Sequence, residues 1–193
     1  GLAPCSAMRV NFVGELGWEL HHPIEYQNHI FDQLMEAGKE FGLKPYGIRA
    51  MNSLRVEKSY KLVGTELSIE YSPYESGLDR FVHPNKGDFI GRAALDKWRA
   101  KGFSNKLVTM EIHGVTDADV LGNNPIYDNG SVVGRATSGD FGFRLNKSIA
   151  LGMVKPELAK VGQKLKIDIL GKMHEASIVE ESPYDSENKL LRA

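Results

Sequence analysis

The chain has 193 residues, of which 41% are hydrophobic and 25% charged, the balance of a globular protein large enough to bury a real core. Its 24 basic and 25 acidic residues nearly cancel, and no Lys/Arg block is present that would track phosphates or an anionic bilayer, so neither nucleic acid nor a membrane is expected as a partner. The single cysteine, Cys5, cannot form an internal disulfide, and no leader or long apolar run is visible, which reads as a cytoplasmic chain or one in another reducing compartment.

Residue 1 is glycine, and only eight residues precede the first strand pattern, so the natural protein is expected to extend further N-terminally, with this chain as a fragment of it. Residues 9–22 give two short β-prone runs around Gly14-Glu15-Leu16-Gly17, which supplies the glycines of a hairpin turn. In the second run Trp18 and Leu20 point one way, Glu19 and His21 the other. From Ile24 to Phe41 the apolar residues Ile30, Leu34, Ala37 and Phe41 recur at helical spacing, and Gly42 supplies a stop. Pro45 opens a second helix running to about Lys58.

The segment from Lys61 to Lys86 reads as irregular, and a short helix follows over Ala93–Ala100. Beyond Gly102 the pattern turns to strands. Leu107–His113 alternates, Ile126-Tyr127 and Val132–Thr137 flank an Asp128-Asn129-Gly130 turn, and Ile149–Val154 is a buried-type run. Leu165–Leu170 pairs with Met173–Val179 across Gly171-Lys172, while Thr137-Ser138-Gly139 reads as a turn between strands. The fold class expected is α+β, an α+β layer over residues 1–102 followed by a small antiparallel β-barrel over 103–193.

Much familiar chemistry is missing. There is no phosphate loop, no dinucleotide fingerprint and no HExxH, and the scattered histidines with one cysteine offer no metal set. His21 and His22 adjoin, but neighbouring strand residues face opposite sides. Nothing near Cys5 in the sequence would lower its pKa, so it is not read as a nucleophile.

Four stretches in order, FVGELGWEL at 12–20, NSLRVEKSYKLVGTEL at 52–67, KGDFIGRAAL at 86–95 and GRATSGDFGFRLNKSIALGMVKPELA at 134–159, resemble the aminomethyltransferase (glycine cleavage T-protein) family. The second and third look closest to the folate-binding C-terminal domain of the dimethylglycine and sarcosine dehydrogenase branch. The resemblance implies the C-terminal portion of a T-protein-like fold, with tetrahydrofolate as cofactor and a one-carbon unit moved onto it from an amine.

Three cofactor-binding residues are implied. The glutamate closing the family's GE-x-G-x-E pattern falls at Glu19, where one carboxylate would accept from the paired donors of a pterin edge; without the family, Glu19 would read as a solvated strand residue. The family's aromatic seven residues earlier falls at Phe12, which keeps stacking and loses a hydroxyl, and reads equally as core. A family arginine near the folate falls at Met51; Arg55 or Arg49 would compensate, with internal ion pairing of Arg55 the competing reading.

Tyr60 reads as structural. Folate-binding relatives that maintain iron–sulfur enzymes carry KGCYxGQE where this chain has Asp88 and Arg92, which favours one-carbon transfer. The family's key aspartate lies in its N-terminal half, so no catalytic residue is expected here and the chain alone is expected to be inactive. That N-terminal half is the partner the resemblance calls for. The dehydrogenase branch further implies a flavin domain upstream, with FAD. Two rivals stay open: a folate-dependent demethylase of a sulfonium donor, and a non-catalytic folate-binding module.

Overall fold

A computed structural model of the chain describes residues 3–115 and 117–192. The first part is an open α+β layer. Strands β1 (Ser6–Met8) and β2 (Glu19–His21) pair antiparallel, Met8 opposite Glu19 and Ser6 opposite His21. The tight hairpin expected around Gly14–Gly17 is therefore a wide one, with residues 9–18 as its connection. The cause is local: Gly14 donates its N–H to Asn11 Oδ1 at 2.8 Å, and Glu15 is drawn to side chains elsewhere in the molecule, so this stretch is tied inward instead of laddering.

The helix expected over Ile24–Phe41 is segmented. A single turn (Ile24–Tyr26) leads into α1 (Gln27–Ala37), and Gly38 separates it from another turn (Lys39–Phe41), ended by Gly42 at φ +68°. No residue of α1 is buried, and Phe31, Leu34 and Phe41 stay exposed. Helix α2 (Ile48–Glu57) differs. Its Ser53, Arg55, Val56 and Glu57 are buried, because the helix lies across the barrel. Residues 58–91 run as turns and single helical turns, and α3 (Arg92–Lys101) follows.

The remainder is a closed six-stranded barrel. Strands β3 (Lys106–Ile112), β4 (Pro125–Asp128), β5 (Ser131–Gly142), β6 (Lys147–Val154), β7 (Lys164–Ile169) and β8 (Lys172–Val179) close in the order β3-β6-β5-β4-β7-β8, with every pair antiparallel. Two-residue turns set the register: Asn129 and Gly130, and Leu170 and Gly171, all take positive φ, as this hairpin type requires. Met110, Ile126, Ala150, Val154, Ile167 and Ala176 are among the fully buried residues of its core.

One turn expectation is corrected. Thr137-Ser138-Gly139 lies inside β5, where a register shift between Ala136 and Ser138 absorbs an extra residue. The glycine serves close approach instead: a Cβ at Gly139 would lie 2.5 Å from the Val120 carbonyl oxygen.

Candidate functional site

Helix α2 carries the seam between the two parts. Arg55, 2% exposed, spends all its donors inside: Nε and Nη2 bond Asn52 Oδ1 at 3.0 and 2.8 Å, Nη1 bonds the Tyr60 carbonyl and Glu66, and Nη2 bonds Ser138 Oγ at 2.7 Å. Ser138 in turn donates to Glu66 Oε1 at 2.5 Å. Burial opposes ionisation of Glu66, yet hydrogen bonds from Ser138, the Leu62 N–H and Thr65 outweigh it and hold the carboxyl below the usual range. Of the two readings of Arg55, the geometry shows the internal ion pair, and no guanidinium donor is left for a ligand.

Beside the seam lies a cleft of about 430 Å³. Phe12 and Tyr60 form one wall, ring centroids 6.4 Å apart and planes 24° from parallel. Lys58, Lys61 and Arg80 supply positive charge, and residues 181–188 close the far side through Glu181, Ser182, Ser186 and Asn188. Lys61 is paired with Glu181, whereas Arg80 has no carboxylate partner among the described residues and lies 4.8 Å from the Phe81 ring centroid.

Lys58 is the unusual member. It is 1% exposed; burial holds its ammonium below the ordinary lysine range while the Asp185 carboxylate works the other way. Its Nζ donates to the carbonyls of Tyr184 and Asp185 at 3.1 and 2.5 Å, fastening the final segment to the end of α2.

Glu19 sits apart from this cleft. On β2 it faces out, its side chain about half exposed, with Oε2 3.3 Å from His21 Nε2. The structure thus brings Phe12 and Tyr60 together and leaves Glu19 on the open face of the two-stranded sheet. His22 Nδ1 donates to the Pro23 carbonyl at 2.9 Å, and Cys5 is an exposed free thiol. Among the described residues, no three His, Cys, Asp or Glu side chains gather as a metal set. Tyr60, read as structural, lines the cleft. Sequence reading did not find Lys58, Arg80 or Tyr184; the only one-dimensional signal was the VEKSYK run, where a lysine closes a helix as lysines often do.

Comparison with known proteins decides the family. The GCVT N-terminal domain model matches residues 1–86, and the glycine cleavage T-protein C-terminal barrel domain model matches residues 105–185. The chain belongs to the glycine cleavage T-protein family. It is 41% identical over 179 residues to the mitochondrial dimethylglycine dehydrogenase of Homo sapiens, covering 92% of this chain and 21% of that protein. To an aminomethyltransferase of Desulfitobacterium hafniense it is 36% identical, covering 91% of this chain and 47% of that protein.

The crystal structure of the glycine cleavage system aminomethyltransferase T from Bartonella henselae superposes with a TM-score of 0.83 at 24% identity, over 93% of this chain and 49% of that one. That likeness shows the fold. A T-protein-like arrangement of α+β layer and antiparallel barrel is therefore what the sequence folds into, while the chain spans about a fifth to a half of the length of these relatives.

Proposed function

We propose that this chain is the folate-binding portion of an enzyme that transfers a one-carbon unit from an amine to tetrahydrofolate. The observation that carries the reading is the Phe12–Tyr60 wall, with unpaired Arg80 at the same cleft, in a chain of this family. A flat conjugated ring gains from aromatic packing, and a carboxylate-bearing tail from a free guanidinium. Phe12 packs on the folate, and Glu19, which lies outside the cleft on the open sheet face, accepts from the pterin's paired donors where the bound molecule extends past the cleft. Arg55 acts at one remove, by fixing the turn that carries Tyr60. Tetrahydrofolate supplies the N5 and N10 nitrogens that receive the carbon.

The donor is proposed to be a methylated amine, since the identity to dimethylglycine dehydrogenase (41%) exceeds that to the aminomethyltransferase (36%). The residues present do not fit a flavin: no dinucleotide fingerprint occurs, so FAD would belong to an upstream domain. The exposed apolar residues in and beside β1, β2 and α1, Trp18, Phe31 and Phe41 among them, favour a preceding half of the same polypeptide as their cover. The catalytic carboxylate would come with that half, and the chain alone would bind without turnover.

Calorimetric titration with 5-formyltetrahydrofolate tests the reading. Glu19→Ala should cost roughly 1.5–3 kcal/mol, the worth of a charge-assisted hydrogen bond. Unchanged affinity in that variant would remove Glu19 from the site, and no binding either to the chain or to the full-length gene product would sink the folate reading.

A further inference from the structure

The two walls of the cleft come from opposite ends of the chain: the connection 9–18, which carries Phe12, and a terminal strap, residues 181–191. Neither contains a helix turn or a strand of its own. Both meet at the same fasteners. Glu15 Oε1 accepts a hydrogen bond from the Tyr184 hydroxyl at 2.9 Å and another from Arg144 Nη1 at 2.6 Å. The Arg144 guanidinium lies 3.8 Å from the Tyr184 ring centroid and is itself held by Glu57 and the Leu54 carbonyl.

Lys58 completes the junction. Its ammonium bonds strap carbonyls, while its methylenes pack on Gly14, where a Cβ would come within 2.8 Å of Lys58 Cγ. The same lysine thus touches both walls. Nor is the strap's shape one that a free chain would keep. Ser182, Asp185 and Asn188 all take positive φ, a conformation that persists in non-glycine residues where surrounding contacts hold it.

We infer that Glu15 and Tyr184 are positioning residues which, through their shared hydrogen bond, make the Phe12 loop and the terminal strap a single unit that opens and closes the cleft together. The inference rests on the cleft being the ligand site. Simple packing would need only the tyrosine ring, already stacked on Arg144. The hydroxyl adds a link to the opposite wall, and that link is what variants can separate.

Hydrogen exchange on the full chain, read with and without 5-formyltetrahydrofolate, tests it. Tyr184→Phe keeps the ring and removes the link, and should speed exchange about tenfold in both 9–18 and 181–191 while β3–β8 keep their protection. Glu15→Ala should do the same; Glu15→Gln, which retains an acceptor, should largely restore the slow rates. Tyr184→Phe needs no large repacking, and barrel protection reports folding within the same measurement. Faster exchange in the strap with an unchanged 9–18 segment would overturn the coupling. These ligand-free comparisons decide the coupling, whereas the ligand arm decides the folate reading: if the variants show the coupling but added ligand slows neither wall, in this chain or in the full-length gene product, the unit stands and the ligand assignment falls.

Discussion

The barrel and the layer before it read alike as amphipathic patterns but differ in what covers them. In the barrel every strand has two neighbours, and the apolar faces of β3–β8 meet one another around a single core. In the layer, β1 and β2 pair only with each other, and α1 buries nothing. Phe41 is 82% exposed and Trp18 61%. A sequence pattern specifies which face is apolar, but not whether the partner of that face lies in the same stretch of chain. Two strands alone are marginal in water, so β1 and β2 depend on whatever covers them, whereas α2 packs on β5 and β6 of the barrel.

The contrast is broken most severely at the shared helix. Glu66→Ala should cost about 3–5 kcal/mol in urea unfolding, because it strands the buried Arg55 guanidinium between helix and barrel. A loss under 1 kcal/mol would mean that the seam is not what joins the two parts. Ile126→Ala, wholly within the barrel core, should cost roughly 2–5 kcal/mol through the cavity it leaves and should leave exchange in α1 unchanged.

Acid should also act on the seam. Burial raises the Glu66 and Glu75 carboxyls, but hydrogen bonds outweigh it and hold both below the ordinary range, those to Glu75 coming from Ser72 and Asn105. A carboxyl depressed by folding stabilises the fold fully above its unfolded value, about 4.3, and loses that contribution as pH falls through the folded value. The urea midpoint should accordingly hold from neutrality to about pH 5 and drop below 4.3, more shallowly in Glu66→Gln; equal slopes would exonerate Glu66. The smallest effect belongs to the layer. Phe41→Ser should change stability by no more than about 0.5 kcal/mol while reducing binding of a hydrophobic dye, and a loss above 2 kcal/mol would show that this face is already packed.

Much of this was legible in sequence. Asn129-Gly130 and the Gly171 turn announce hairpins because few residues tolerate their backbone angles, and alternation along Lys164–Ile169 shows which side faces in. What escaped has a common cause, since it depends on meetings between residues far apart. Gly139 reads as a turn until Val120 is seen crossing it. Lys58 reads as a solvated helix end until the strap covers it. Phe12 was singled out only through the family, because one aromatic in a loop has no periodicity, and its meeting with Tyr60 in the cleft wall could not be read along the chain for the same reason.

Closure of the barrel through β3 and β8 has a bearing on how the chain is made. The first and last barrel strands are neighbours, Thr109 lying opposite Val179, so the cylinder cannot seal until its final strand has left the ribosome. Throughout that interval the edge of β3 that β8 will pair with stands open. Vectorial synthesis therefore leaves this chain most open to edge-to-edge association between the emergence of β3 and that of β8, and a chaperone that shields that edge would raise yield.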